Sequence, residues 1–264
     1  FAALFVVSSW PLLPLFMMQV PTARDGIDAL TGLYVLNWGI HALANHPLGY
    51  FNANVFFPQA ETLAFGEHLF GVSVAMAPFQ WTLAHPILTY NFALLFSFTL
   101  AGTGAYLLAR QITGSVRAGL IAGILFGFSP FRMAHIGDLG VLALHGLPWI
   151  FLIGHLYLED GRRRLIYLGA FFTLVEVLSS TISLYYLAGG GILALMVALY
   201  RRRSARSSLI RHRLHFLTCA GLLLFVLYPF MKPYVNQEVE LYSLNMEQSP
   251  AAVRIPSEPA SIAS

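Results

Sequence analysis

Long apolar runs alternate with short polar joints along this chain. A membrane-crossing helix takes about 20 mostly apolar residues. The pattern predicts such helices over 1–20, 86–109, 117–134, 139–158, 165–181, 183–200 and 214–231. A further apolar run, 62–84, carries Glu67, His68, Pro78 and Gln80. Its charged start and broken end predict a helix lying at the interface, or a shallow re-entrant one, rather than a crossing. The expected class is an all-α membrane protein of about seven transmembrane helices. A large extracytoplasmic first loop, 21–85, bears interfacial helices. Within it, 27–44 reads as an amphipathic helix with Asp28 in the first turn, where a carboxylate suits a helix N-terminus. Trp38 fits an interfacial aromatic belt.

The arginines set the orientation. Arg110, Arg117, Arg162, Arg163, Arg164, Arg201, Arg202, Arg203, Arg206, Arg211 and Arg213 are eleven of the fifteen basic residues. With seven crossings all eleven fall on one side, and Lys and Arg are enriched in cytoplasmic loops. The other side keeps Arg24, Arg132, Lys232 and Arg254. If 62–84 also crossed, the arginine loops would still share a side, but 21–61 would join them.

Composition agrees with a bilayer. The 264 residues are 57% apolar and 10% charged, with mean hydropathy +0.68, against about 25% charged in soluble domains. Water-soluble classes are set aside. The net charge of +3 does not imply nucleic acid, because the arginines cluster at membrane edges. Cys219 is the single cysteine, so no internal disulfide can form. The chain opens on Phe1 inside an apolar stretch. Residues 1–20 hold Pro11 and Pro14 and lack a basic leader, so a truncated transmembrane helix is expected rather than a signal peptide. The expectation is a piece of a longer protein. It divides into a bundle at 1–231 and, at 232–264, the start of a second extracytoplasmic segment.

Small residues mark packing. Gly119, Gly123 and Gly127 form a ladder that lets helices approach closely. Ala101, Gly102, Gly104 and Ala105 offer a matching face. Gly189, Gly190 and Gly191 are expected to loosen or kink the sixth crossing.

Candidate chemistry gathers in the first loop. Asp28 and Asp25 follow the first crossing and suit a general base or an acceptor-orienting carboxylate; a helix cap and a solvated loop acid are the plain alternatives. Glu67 and His68 interrupt an apolar run, where polar groups generally face a cavity or a partner. Arg132 and Lys232 are lone cations at outer helix ends, suited to a phosphate or to snorkelling toward headgroups. His135 and Asp138 are close enough in sequence to pair with Arg132. Glu176 is an acid deep in a crossing, a functional candidate by default, with a hydrogen bond to Ser179, Ser180 or a neighbouring helix as the alternative. No metal-ligand spacing occurs, although a divalent ion remains compatible. No Walker loop, GxSxG, dinucleotide fingerprint or CxxC is present. No cofactor is expected, and substrate activation must come from outside the chain. Nothing in the sequence speaks to oligomeric state.

The order of these features resembles the GT-C membrane glycosyltransferases, and more closely a group of bacterial multi-pass proteins related to them. The matching residues are Asp28, Asn37, Trp38 and His41 (D-x8-NW-x2-H), then FNANVFFPQAETLAFGEHLFG, YLLARQITGS and AGILFGFSPFRMAHIGDLG, over roughly 20–200. At 135–145 the chain departs from the pattern, carrying His135 and Asp138. The resemblance implies an enzyme of the bacterial inner membrane. Its partners would be a polyprenyl-phosphate sugar and membrane lipids, and it would act on the extracytoplasmic face. Asp28 matches the acid of the first outer loop, and Glu67 a second recurring acid. The rival reading is a non-enzymatic multi-pass protein, a transporter or lipid flippase, with Glu176 and the glycine-rich sixth crossing lining its path.

Overall fold

The computed structural model describes residues 1–9, 14–21, 26–143, 145–201 and 203–248. Among these the fold is all α. The helices are α1 (Ala2–Ser8), α2 (Ile27–Asn45), α3 (Phe70–Leu83), α4 (Pro86–Thr113), α5 (Val116–Gly127), α6 (Pro130–Ala134), α7 (Leu139–Leu142), α8 (Leu147–Asp160), α9 (Arg163–Ser179), α10 (Ile182–Arg201), α11 (Arg203–Arg211) and α12 (Arg213–Gln248).

Local sequence sets the boundaries. Pro86 opens α4 at a position where its missing N–H costs nothing, and His85 Nδ1 accepts from Leu88 N–H at 3.3 Å. Ser115 and Ser129 cap α5 and α6 through their hydroxyls. Gly114 (φ 69°) and Gly161 (φ 64°) end α4 and α8 in the left-handed region that favours glycine.

Four segments are long and apolar enough to cross a membrane: Pro86–Thr113, Val116–Ala134, Leu139–Asp160 and Arg213–Gln237. They correspond to four of the expected crossings. α9 and α10 occupy the expected places of two more, but α9 has only 17 residues and includes the buried Glu176. The expected crossing over 1–20 is represented by the seven-residue α1 and a turn at 14–18, with residues 10–13 outside the described ones. Proline at 11 and 14 disfavours one continuous helix there.

The two ends of the bundle are chemically distinct. At one end Gln111 donates to Glu159 at 3.2 Å and Tyr157 to the Ser208 carbonyl at 3.0 Å. These contacts bring the α4–α5, α8–α9 and α11 joints together, with Arg110, Arg117, Arg162, Arg163, Arg164, Arg211 and Arg213. The arginine loops thus share one end, as their sequence placement predicts.

At the opposite end α2 and α3 form a cover. The 14 residues of α3 extend about 21 Å, less than a bilayer core of about 30 Å. α3 starts with Gly71 against Ser179 at the end of α9 and finishes two residues before α4 begins. Its two ends therefore lie at the end of α9 and the start of α4. α2 is a core element, burying Ala29, Val35, Leu36, Gly39, Ile40 and Ala42. The main core lies between this cover and the bundle, around Phe5, Leu36, Leu69, Tyr90, Leu94, Phe98, Leu139 and Leu142. Trp38 is tied inward, its indole N–H donating to the Tyr50 carbonyl at 2.9 Å.

The glycine ladder works as a close crossing. A Cβ on Gly127 would stand 3.0 Å from the Gly102 Cα, and one on Gly102 3.3 Å from the Gly123 carbonyl. Gly104 instead faces Trp149 and Pro148 of α8. The expected kink at Gly189–Gly191 does not occur. α10 is one continuous helix, because glycine weakens a helix but keeps the backbone N–H and C=O that its hydrogen bonds need. α12 likewise runs unbroken through Pro229 and Pro233, so the expected boundary at 231/232 falls inside a helix.

Candidate functional site: an acid-lined cavity under the covering helices

A cavity of about 560 Å³ opens between α2, the loop before α3 and the start of α7, lined by Asp28, Tyr34, Thr62, Glu67, Asp138 and Gly140 among others. Asp28 comes from the first turn of α2, Glu67 from the turn before α3, and Asp138 from the turn before α7.

Two of the three acids are engaged at helix N-termini. Both Glu67 carboxylate oxygens accept from Thr181, one from its N–H at 2.6 Å and the other from its hydroxyl at 2.5 Å. Thr181 immediately precedes α10, so Glu67 accepts at the N-terminus of that helix. Asp138 caps α7, its Oδ1 accepting from Val141 N–H at 3.2 Å. Burial raises the Asp138 pKa above the usual carboxylate range; the Asp28 charge adds to this, and the bond from Val141 opposes it. Asp28 is exposed at the rim and accepts no hydrogen bond from the described residues. Gly140 permits this gathering, since a Cβ there would stand 2.9 Å from Glu67 Cγ and 3.3 Å from Asp138 Oδ1.

The turn that carries Glu67 is firmly held. Leu69 is 1% exposed and sits at φ 47°, a left-handed conformation that costs a non-glycine residue about 1–2 kcal/mol. His68, fully buried, accepts from Phe70 N–H through Nδ1 at 3.1 Å. Its ring lies among Phe51, Phe230 and Tyr234. Burial lowers its pKa to about 4, so the imidazole is neutral near pH 7. The outer half of α12 completes the clamp. Tyr234 donates to the Gly66 carbonyl at 2.8 Å, Asn236 to Glu61 at 3.0 Å and Gln237 to the Ala60 carbonyl at 2.8 Å.

The remaining sequence candidates lie elsewhere. Asp25 falls outside the described residues. Arg132 does not line the cavity. It is buried in the bundle, donating to the Gly127 carbonyl at 3.2 Å, to Ser97 at 2.9 Å and to the Leu142 carbonyl at 3.3 Å, with Phe98 under its guanidinium. Gly127 and Leu142 end α5 and α7, so Arg132 satisfies carbonyls that helix ends leave open. It does not pair with Asp138. Glu176 is also internal, accepting from Gly146 N–H at 2.7 Å at the start of α8, not from Ser179 or Ser180. Lys232 is exposed on α12, one turn before Asn236 on the same face, and does not line the cavity. Asn37, Trp38 and His41 make contacts within the cover and its loop. Among the described residues no group of three or more His, Cys, Asp or Glu is placed to hold a metal ion.

Asp138 is a cavity acid that sequence reasoning had assigned only to pairing with Arg132. Its signature was visible as an acid directly before an apolar run, an N-cap signal. Compared with known protein families, curated proteins and solved structures, the chain finds no match.

Proposed function

We propose that the protein is a membrane glycosyltransferase of the GT-C type, working at the cavity end of the bundle on the extracytoplasmic face of a bacterial inner membrane. The bundle would cross about seven times, with α9, α10 and the region of α1 joining the four clear crossings. The observation that carries the reading is the placement of Asp28: an acid free of hydrogen bonds from the described residues, at the rim of a cavity shared with Glu67 and Asp138.

In this reading the acceptor hydroxyl enters beside Asp28. Its oxygen attacks the anomeric carbon of a sugar carried on polyprenyl phosphate, with inversion. The hydroxyl proton passes to Asp28, and the carbon–oxygen bond to the phosphate breaks. Positioned proton transfer of this kind contributes about 10²–10⁴-fold. Glu67 acts through structure, fixing the α10 start and the cavity wall. Arg132, held inside the bundle, has no part in receiving the phosphate. That role is left to Lys232, at the same end of the molecule.

The test is transfer from a polyprenyl-phosphate sugar in proteoliposomes, with the wild type beside Asp28→Asn. Transfer that disappears in the variant supports the reading, and transfer that persists removes Asp28 from the chemistry.

A further inference from the structure

The arginine-rich end of the molecule carries a second concavity, far from the acid-lined one in chain order and chemistry. A groove of about 290 Å³ lies between α8, α9 and α12, lined by Ile150, Ile153, Leu165, Ile166, Phe216 and Leu223 among others. Its depth follows three helices in register. The lining runs from Tyr157 to Ile150 on α8, from Leu165 to Thr173 on α9 and from Phe216 to Leu223 on α12. Each run covers eight or nine positions, about 10–12 Å. Tyr157, Ile166 and Cys219 form the buried floor.

Glycine keeps the groove open. A Cβ on Gly154 would meet nothing within 4 Å, and one on Gly169 only the Ile153 methyl at 3.5 Å. The lining offers water little to bond, with Thr173 the polar side chain at its deep end. A groove of this kind favours hydrocarbon over water.

The mouth has the opposite character. Arg162, Arg163 and Arg164 precede or open α9, and Arg211 and Arg213 flank the α11–α12 joint; all five are exposed. Tyr157 and Tyr167 hold His212 and His215 through their Nδ1 atoms at 3.0 and 2.8 Å. The N-terminus of α9 has no side-chain cap and no acid in its first turn, so its N–H groups and dipole also favour an anion. The acids nearby are engaged: Asp160 pairs with Arg162 at 3.4 Å, and Glu159 with His155 at 3.4 Å and with Gln111.

We infer that this groove is a site for an anionic phospholipid, with one acyl chain between α8, α9 and α12 and its phosphate among Arg162–Arg164, Arg211, Arg213 and the start of α9. Basic pockets between membrane helices on the arginine-rich side recognise anionic headgroups in this way. The apolar slot below them adds chain recognition to charge. The site is independent of the glycosyltransferase reading.

The experiment is native mass spectrometry of the full chain released from micelles containing equal phosphatidylglycerol and phosphatidylcholine. The expected result is a retained phosphatidylglycerol adduct. It falls about thirtyfold in Arg211→Gln/Arg213→Gln, at about fivefold per basic residue near a membrane surface. It falls comparably in Gly154→Leu, which fills the slot and leaves every charge in place. Circular dichroism confirms that each variant is folded, and Gly189→Leu, an exposed helix glycine outside the groove, serves as the control for the substitution itself. Equal retention of the two lipids overturns the inference. So does a phosphatidylglycerol adduct that survives Gly154→Leu, which reduces the site to surface charge.

Discussion

The Glu67 carboxylate reaches Thr181, 114 residues away in the chain, and accepts both its backbone N–H and its hydroxyl. One acid thereby joins the covering segment to the start of α10. Hydrogen bonds to a charged group contribute about 1.5–3 kcal/mol each. Glu67→Gln is expected to lower the thermal midpoint in detergent, and Thr181→Ala to do the same. The double variant should lose less than the sum, because the two act as one unit. Thermal unfolding of the four proteins checks this; strictly additive losses would separate the two residues.

Arg132 is expected to act in folding rather than in substrate binding. Arg132→Met removes the donor to the Gly127 and Leu142 carbonyls and to Ser97. It leaves these buried acceptors without their donor. Each buried acceptor left unsatisfied costs about 1–3 kcal/mol. Folded yield and thermal midpoint should both fall. A variant of normal stability with a selective loss of affinity for a lipid-linked phosphate would instead make Arg132 a substrate-binding residue.

His68 predicts an acid limb in stability. Its folded pKa, about 4, lies below the 6.5 of an unperturbed imidazole because of burial. The unfolded chain therefore takes up a proton that the native state refuses. The stability at stake is fully present above pH 6.5 and is lost as the pH falls toward 4, to a limit of about 3 kcal/mol. His68→Asn keeps an acceptor near the Nδ1 position for Phe70 N–H but cannot titrate. Its thermal midpoint should vary less than that of the wild type between pH 6.5 and 4. Parallel curves would mean that other groups carry the acid sensitivity.

The glycines divide into two kinds. Gly123→Leu is expected to force α5 away from α4, because a Cβ there would meet the Gly102 carbonyl at 2.7 Å and the Phe1 ring. Overpacking of this sort costs about 1–3 kcal/mol. Gly189→Ala and Gly191→Ala, with nothing within 4 Å, should be neutral or stabilise α10 by about 0.5–1 kcal/mol. Thermal midpoints of the three variants test the distinction, and equal effects would contradict it.

What the sequence made legible was periodic or charge-based. Helix length and apolarity gave the segments around Pro86–Thr113, Val116–Ala134, Leu139–Asp160 and Arg213–Gln237. Arginine placement gave the shared basic end, and small-residue spacing gave the α4–α5 crossing. Illegible were the partners of individual polar groups. Glu67 capping α10, Glu176 meeting Gly146 and Arg132 meeting two helix ends all depend on tertiary placement. A charge in an apolar run announces only that it needs a partner, not which one. Trp38 shows the same limit: its type suits an interface, but its indole serves the Tyr50 carbonyl.

The central claim is that Asp28, which accepts no hydrogen bond from the described residues, is the cavity acid available for chemistry, while Glu67 and Asp138 hold helix ends. It is tested most directly by measuring turnover and thermal midpoint together for Asp28→Asn, Glu67→Gln and Asp138→Asn, with a lipid-linked sugar as donor. Asp28→Asn should lose about 10²–10⁴-fold in turnover at an unchanged midpoint, while the other two lose stability first. An Asp28→Asn protein that turns over normally, or that fails only because it unfolds, would contradict the claim.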